Sequence, residues 1–262
     1  MKYKWKIPAG LKSRIEAFAE LRSRFGTVRT LHHAIFRLIN KFFYFDCLHI
    51  VILDRENLKP LDPAKTGGLS TKFATLEEIK EMERQGCWSL PPKAVEYFEQ
   101  GDTCLLSYVD NKLVGYTWAL KSGYPSLVEG LTVSVPPEYL YNFCGFTHPD
   151  YRGYGLQAFR HHALLNDPRW RDRKGLLGFV VHTNRSSMRG QEKSGYRRIG
   201  KIYIFGTKSK VFTHIGKSLR KMGIRRVDSA PSGNRQECDN DQLRAAERGP
   251  QSHCRSDGEK CC

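Results

Sequence analysis

The segment that most restricts the fold runs from Asn142 to Ala158, NFCGFTHPDYRGYGLQA. An apolar run ends at Thr147, His148-Pro149-Asp150-Tyr151 makes a turn, and Arg152-Gly153-Tyr154-Gly155 leads into residues with helical spacing. The period changes from strand to helix across eight residues, so the unit is a strand, a glycine loop and a helix. The first turn of such a helix leaves several backbone N–H groups without intrahelical partners, and its positive end favours an anion. Glycines let a phosphate approach the backbone closely. The run therefore suits a pyrophosphate. It lacks Gly-Lys-Ser/Thr and the three-glycine dinucleotide spacing, which excludes a Walker loop and a Rossmann fingerprint.

Around this unit the spacing predicts alternating elements. Residues 10–43 carry Leu11, Ile15, Phe18, Leu21 and Phe25, then Leu31, Ile35, Leu38 and Ile39, at helical steps broken at Gly26-Thr27. Strands are predicted over 47–53, 103–109, 113–120, 138–147, 176–182 and 197–205. Helices are predicted over 75–85, from 91 to 101, over 156–165 and over 186–194. Thr75 and Glu78 form a capping box, and Asp110-Asn111-Lys112 marks a hairpin. The expected fold class is α/β: a mixed, mostly antiparallel central sheet flanked by helices. Residues 1–45 form a basic amphipathic helical extension whose apolar stripe is expected to pack on the domain. Residues 46–207 form the α/β domain, 208–226 a basic helix or extension, and 227–262 a polar tail expected to be disordered.

Charge is the next constraint. The chain of 262 residues carries 43 Lys+Arg against 27 Asp+Glu, a net +16. The excess sits in the flanks: residues 1–50 hold ten basic and three acidic residues, and 207–226 hold seven basic and none acidic. Such a field favours a phosphorylated cofactor, nucleic acid, an anionic lipid surface or an acidic substrate. No basic stripe interleaved with aromatics argues for RNA, so nucleic acid is not required. Peripheral membrane contact through the basic helices is an expected use of the flanks. No apolar stretch is long enough to span a bilayer and the start lacks a signal-type apolar region, so a cytoplasmic location is expected. Cys47, Cys87, Cys104 and Cys144 are expected to be reduced core residues. Cys238, Cys254, Cys261 and Cys262 lie in the tail. No cysteine pair has zinc-knuckle spacing, and His32-His33 and His161-His162 face different ways on their helices, so no metal site is expected.

The Asn142–Ala158 run, taken with Asn184–Tyr196 downstream (NRSSMRGQEKSGY), resembles the GNAT superfamily of acyl-CoA N-acyltransferases. That family carries Arg/Gln-x-x-Gly-x-Gly/Ala after a central strand, read here as Arg152-Gly-Tyr-Gly155-Leu-Gln157. It also carries Asn, a short helix and Lys-x-Gly-Phe/Tyr, read here as Asn184 and Lys193-Ser-Gly195-Tyr196. The resemblance implies acetyl-CoA or another acyl-CoA as donor, no metal, and an amine acceptor: a small molecule, an amino sugar or a peptide. Gly145, Phe146 and Thr147 would present strand backbone to the pantetheine arm. Gly153, Tyr154, Gly155, Leu156, Gln157 and Ala158 would wrap the pyrophosphate, with Arg152 adding charge and Asn184 contacting the pantetheine. Gln157 departs from the motif and would crowd the phosphate site.

The position of the family's catalytic tyrosine is Gln191, which cannot donate a proton at neutral pH. Tyr196, Tyr154 and Tyr141 are the alternative acids. His182 and Glu138 are the candidate bases that would take the proton from the amine. The expected reaction is direct attack of the amine on the thioester in a ternary complex. The rivals are an acyl-CoA-binding protein without turnover and a basic nucleic-acid or membrane-surface module.

Overall fold

A strand that is apolar at nearly every position, such as Leu48-His-Ile-Val-Ile-Leu53, needs cover on both faces and neighbours on both edges. In the computed structural model, which describes residues 19, 22–23, 26–85, 90–91, 93–121, 123–128, 131–207 and 210–227, this segment becomes β1 (Tyr44–Asp54), buried from Asp46 to Asp54. It follows helix α1 (Thr27–Phe42) and lies in the sheet interior.

Further along come α2 (Pro63–Thr66), β2 (Leu69–Phe73), α3 (Leu76–Arg84), α4 (Ala94–Glu99), β3 (Thr103–Val109) and β4 (Lys112–Leu120). Then follow β5 (Ser126–Val128), β6 (Leu131–Val133), β7 (Tyr139–Thr147), α5 (Leu156–Asn166), β8 (Gly175–Val181) and α6 (Arg185–Lys193). The last elements are β9 (Arg197–Gly206), β10 (Val211–Ile215), α7 (Lys217–Lys221) and β11 (Arg226–Val227). The main sheet has the order β10-β9-β1-β8-β7-β4-β3-β2, and β11-β6-β5 form a small second sheet. Every pairing of the main sheet is antiparallel except β7 with β8. This is the mixed, mostly antiparallel sheet flanked by helices that the sequence predicts.

Alternation along β1 divides the core. Ile50 and Ile52 join Leu127, Leu131, Val133 and Leu219, so the small sheet and α7 cover one face there. Val51 and Leu53 join Leu164, Trp170 and Met188, so α5, its C-terminal turn and α6 cover the other. α3 and α4 bury Ile79, Met82 and Tyr97 against Tyr116 and Trp118 of β4. α3 starts at the predicted capping box, with Thr75 and Glu78 exchanging hydrogen bonds. The β3–β4 hairpin turns through Asp110 (φ 47°) and Asn111 (φ 65°), the left-handed pair of a type I′ turn.

Four expectations change. Residues 208–226 are not one helix or extension. Val211–Ile215 pair with β9, because a β-branched and aromatic run beside an open strand edge adds to the sheet. Strands β2, β5 and β6 lie in stretches where the sequence predicts no element; they have three to five residues and too little alternation to register. The α1 stripe of Leu31, Ile35, Leu38 and Ile39 is exposed instead of packed on the domain. Cys47 and Cys104 are buried and free as expected, but Cys144 is disulfide-bonded. The helix predicted over 10–25, Cys87 and the tail beyond Val227 also lie outside the described residues. No described helix is long and apolar enough to cross a membrane.

One buried carboxylate ties three strand ends. Asp54 Oδ1 accepts from Tyr139 Oη at 2.6 Å, and Oδ2 accepts from Arg197 Nη2 at 3.1 Å. Burial alone would raise the carboxyl pKa, but the Tyr139 and Arg197 hydrogen bonds hold it below the usual range. Gly175 faces Asp54 across the β1–β8 ladder, where a Cβ would overlap the Leu53 carbonyl, so only glycine permits that register. Asp54→Ala strands the phenol and the guanidinium and is expected to cost about 2 kcal/mol. Arg197→Ala, at a half-exposed side chain, is expected to cost less than about 1 kcal/mol. Urea unfolding of both variants checks the order.

His161 on α5 is buried, and burial beside the Arg160 cation pulls its pKa down to about 3. The folded state thus holds it neutral while the unfolded chain takes up a proton below about pH 6.5. Stability is therefore expected to fall as pH drops through that window, by up to about 1.4 kcal/mol per pH unit from this group. His161→Gln should flatten the pH dependence by about one proton in chemical unfolding between pH 4 and 7.

Candidate functional site

The site begins where two parallel strands separate. β7 pairs with β8 only over Tyr139–Tyr141 against Gly175–Leu177. From Asn142 onward the strands part, while β8 continues to Val181 against β1. The cause lies on the other edge of β7. Trp118 faces Phe143 and Tyr116 faces Phe146, so Cys144 and Gly145 together oppose Thr117. This is a β-bulge, with Cys144 at φ 46°, and a bulge bends the strand that carries it.

Polar groups gather at the apex. Asn142 Oδ1 accepts from Thr117 Oγ1 at 2.5 Å. The Tyr196 phenol hydrogen-bonds the Asn142 side chain and lies 3.4 Å from His161 Nε2. Burial raises the phenol pKa above its ordinary value, so Tyr196 keeps its proton at neutral pH. A Cβ on Gly178 of β8 would stand 3.6 Å from both the Asn142 carbonyl and Gln191 Nε2. Gln191 therefore reaches from α6 onto the parting, and its Oε1 is buried without a hydrogen-bond partner.

At the open end, β7 runs into a turn over Pro149–Tyr151 and then into Gly153 (φ 94°) and Gly155 (φ 79°). A Cβ at either glycine would meet nothing within 4 Å, so the loop is open on that side. Gly155 caps α5, whose first turn holds no acid. Arg152 Nε donates to the Thr147 carbonyl at 3.3 Å. Gln157 does not crowd the loop; its side chain lies against Gly190 of α6, where a Cβ would overlap it. Tyr154 is exposed, and Leu156 is buried under the helix.

Sequence reasoning missed Arg160. It is buried on α5, donating to Thr147 Oγ1 at 2.9 Å and Ser107 Oγ at 3.2 Å. No carboxylate pairs with it among the described residues, and burial pulls its pKa down to about 10. A fixed positive charge thus sits under the end of β7. Its signal was available: Arg160 falls midway between Leu156 and Leu164, at a core position of the helix.

The other predicted residues stand elsewhere. Glu138 is exposed at the far end of β7, its carbonyl accepting from Lys174 N. β8 ends at Val181, so His182 sits in a turn at the open end, packed against His32 and Phe36 of α1 with ring centroids 5.4 and 4.5 Å away. Asn184 caps α6, its Oδ1 accepting from Ser187 N at 3.1 Å. Tyr141 packs with Phe143 and Phe179 on the opposite face from Asn142. Among the described residues no group of three or more His, Cys, Asp or Glu is placed to hold a metal ion.

No family profile and no curated protein matches the chain. Solved structures do. A GCN5-related N-acetyltransferase from Kribbella flavida is 12% identical, over 66% of this chain and 63% of that one, with a TM-score of 0.42. A GCN5-related N-acetyltransferase-like protein from Streptococcus suis is 13% identical, over 68% and 67%, at 0.41. A ribosomal-protein-alanine N-acetyltransferase from Brucella melitensis is 17% identical, over 48% and 89%, at 0.36. The match spans less than two thirds of the Kribbella protein. The chain is similar to structures named GCN5-related N-acetyltransferase and GCN5-related N-acetyltransferase-like protein.

Proposed function

We propose that the chain is an acyl-CoA-dependent N-acyltransferase that moves an acetyl group from acetyl-CoA to an amine. The observation that carries this reading is the parting of β7 from β8 beside an acid-free helix N-terminus. A thioester with a long amide-bearing arm and a pyrophosphate matches both halves. The arm would lie along Gly145, Phe146 and Thr147, on the edge that β8 does not engage. The pyrophosphate would rest on the loop from Gly153 to Ala158, with Arg152 and the buried Arg160 charge beside it.

The amine nitrogen would attack the thioester carbonyl, the C–S bond would break, and the thiolate would take a proton. Tyr196 fits the donor role: its phenol is protonated at neutral pH and is held at the apex by Asn142. Gln191 would orient groups without donating a proton. The nitrogen would lose its proton to solvent or to a group that arrives with the acceptor, since Glu138 stands at the other end of β7 and His182 lies beneath α1. The acceptor is an amine of a small molecule, an amino sugar or a peptide.

Acetyl-CoA at a hundredfold excess over its Kd is expected to stabilise the protein by about 2.7 kcal/mol in thermal unfolding. Gly155→Glu, which places a carboxylate at the helix N-terminus, should abolish that shift while the fold is kept. A folded sample that shows no shift at saturating acyl-CoA contradicts the reading. Transfer to an amine panel separates turnover from binding alone. Gln191→Ala is expected to lower turnover by less than about tenfold, the scale of one neutral hydrogen bond, and Tyr196→Phe by more. Steady-state rates at saturating donor check the order of these two variants.

A further inference from the structure

A helix with one apolar stripe normally turns that stripe inward. α1 does the reverse. Its contacts with the domain come from its mixed side. Phe36 packs on Phe45 and His182, Thr30 is buried, and Asn40 Oδ1 accepts from Phe45 N at 2.8 Å. The stripe of Val28, Leu31, Ile35, Leu38 and Phe42 points to solvent, with exposures of 82%, 54%, 50%, 56% and 75%. The apolar surface continues onto the sheet. Phe45, Phe205 and Phe212 are register neighbours across β1, β9 and β10, and all three are exposed on the side where α1 sits. The Phe205 and Phe212 rings stack at 5.8 Å, and Lys210 Nζ lies 5.2 Å from the Phe212 ring centre.

The charge around this surface is mostly positive. α1 carries Arg29, Arg37 and Lys41 and no acid, and residues 193–227 contain no Asp or Glu. The segment before Gly26 adds seven basic residues against Glu16 and Glu20, and a second apolar spacing of the same kind. Two copies meeting through this face would bring an excess of cations against cations with few acids to offset them. An anionic lipid surface supplies both the apolar layer and the opposite charge.

We infer that α1 and the β9–β10 aromatic row form a docking surface for an anionic membrane interface. The stripe inserts at the level of the headgroups and the acyl-chain boundary, and exposed cations such as Lys201 and Lys210 meet the lipid phosphates. The surface is separate from the parting of β7 and β8, so it stands whether or not the acyltransferase reading holds.

Vesicle sedimentation of the full chain tests it, with phosphatidylcholine alone and with phosphatidylcholine mixed with phosphatidylglycerol. Binding to the mixed vesicles is expected to be at least about tenfold stronger than to the neutral ones and to weaken as salt rises. Leu31→Asp/Leu38→Asp is expected to lower it at least about tenfold, with the unfolding midpoint kept. Phe205→Ser/Phe212→Ser, on the sheet part of the surface, should lower it independently and serves if the helix variant unfolds. The inference is overturned by any of four results: no vesicle binding at low salt, binding indifferent to lipid charge, binding unchanged in both variants, or a concentration-dependent dimer that Leu31→Asp/Leu38→Asp disperses.

Discussion

The separation of β7 from β8 after three paired residues is the constraint on which the rest of the site depends. A parallel pair buried at the centre of a sheet would ordinarily zip along its whole length. Here the extra residue at Cys144-Gly145 bends β7, while β8 keeps its full ladder with β1. Each strand keeps a partner on its outer edge, so opening the inner edge costs little of the total ladder. Bulges are over-represented beside functional sites because they change where a strand aims its groups.

Buried polar groups fix both ends of this opening. Below it, Asp54 holds Tyr139 at the start of β7 and Arg197 at the start of β9, which sets the spacing of the strands before they part. At the open end, Arg160 bonds Thr147 and Ser107, clamping the end of β7 to β3 from the helix side. The Arg160 charge has no carboxylate partner in the described protein, and burial disfavours its charged form.

Much of this was legible in the chain because it is local. The change of period at Thr147–Leu156, the Thr75–Glu78 box and the hairpin at Asp110-Asn111-Lys112 depend on neighbours within a few residues, and each appears where expected, with Lys112 already in β4. What was not legible depends on distant partners. The bulge exists only in the register of β7 against β4. β1 reads as an apolar strand, but its place between β8 and β9 comes from pairings more than a hundred residues away. Gln157 reads as an obstruction until α6 offers Gly190 to receive it. His182 reads as a strand residue near Asn184, yet the strand stops at Val181 and α1 folds over the ring. The outward stripe of α1 inverts the usual rule, since amphipathic spacing tells that a helix has a face and not what covers it.

The claim at the centre of this account is that the wedge between β7 and β8 receives an acyl-CoA. Hydrogen–deuterium exchange with and without acetyl-CoA tests it directly, because it reads backbone amides segment by segment. The account predicts slower exchange in peptides covering 142–158 and the start of α6, with α1 and the β9–β10 hairpin unchanged. Exchange that is unaltered over 142–158 at saturating acetyl-CoA, or protection confined to another part of the sheet, would contradict it.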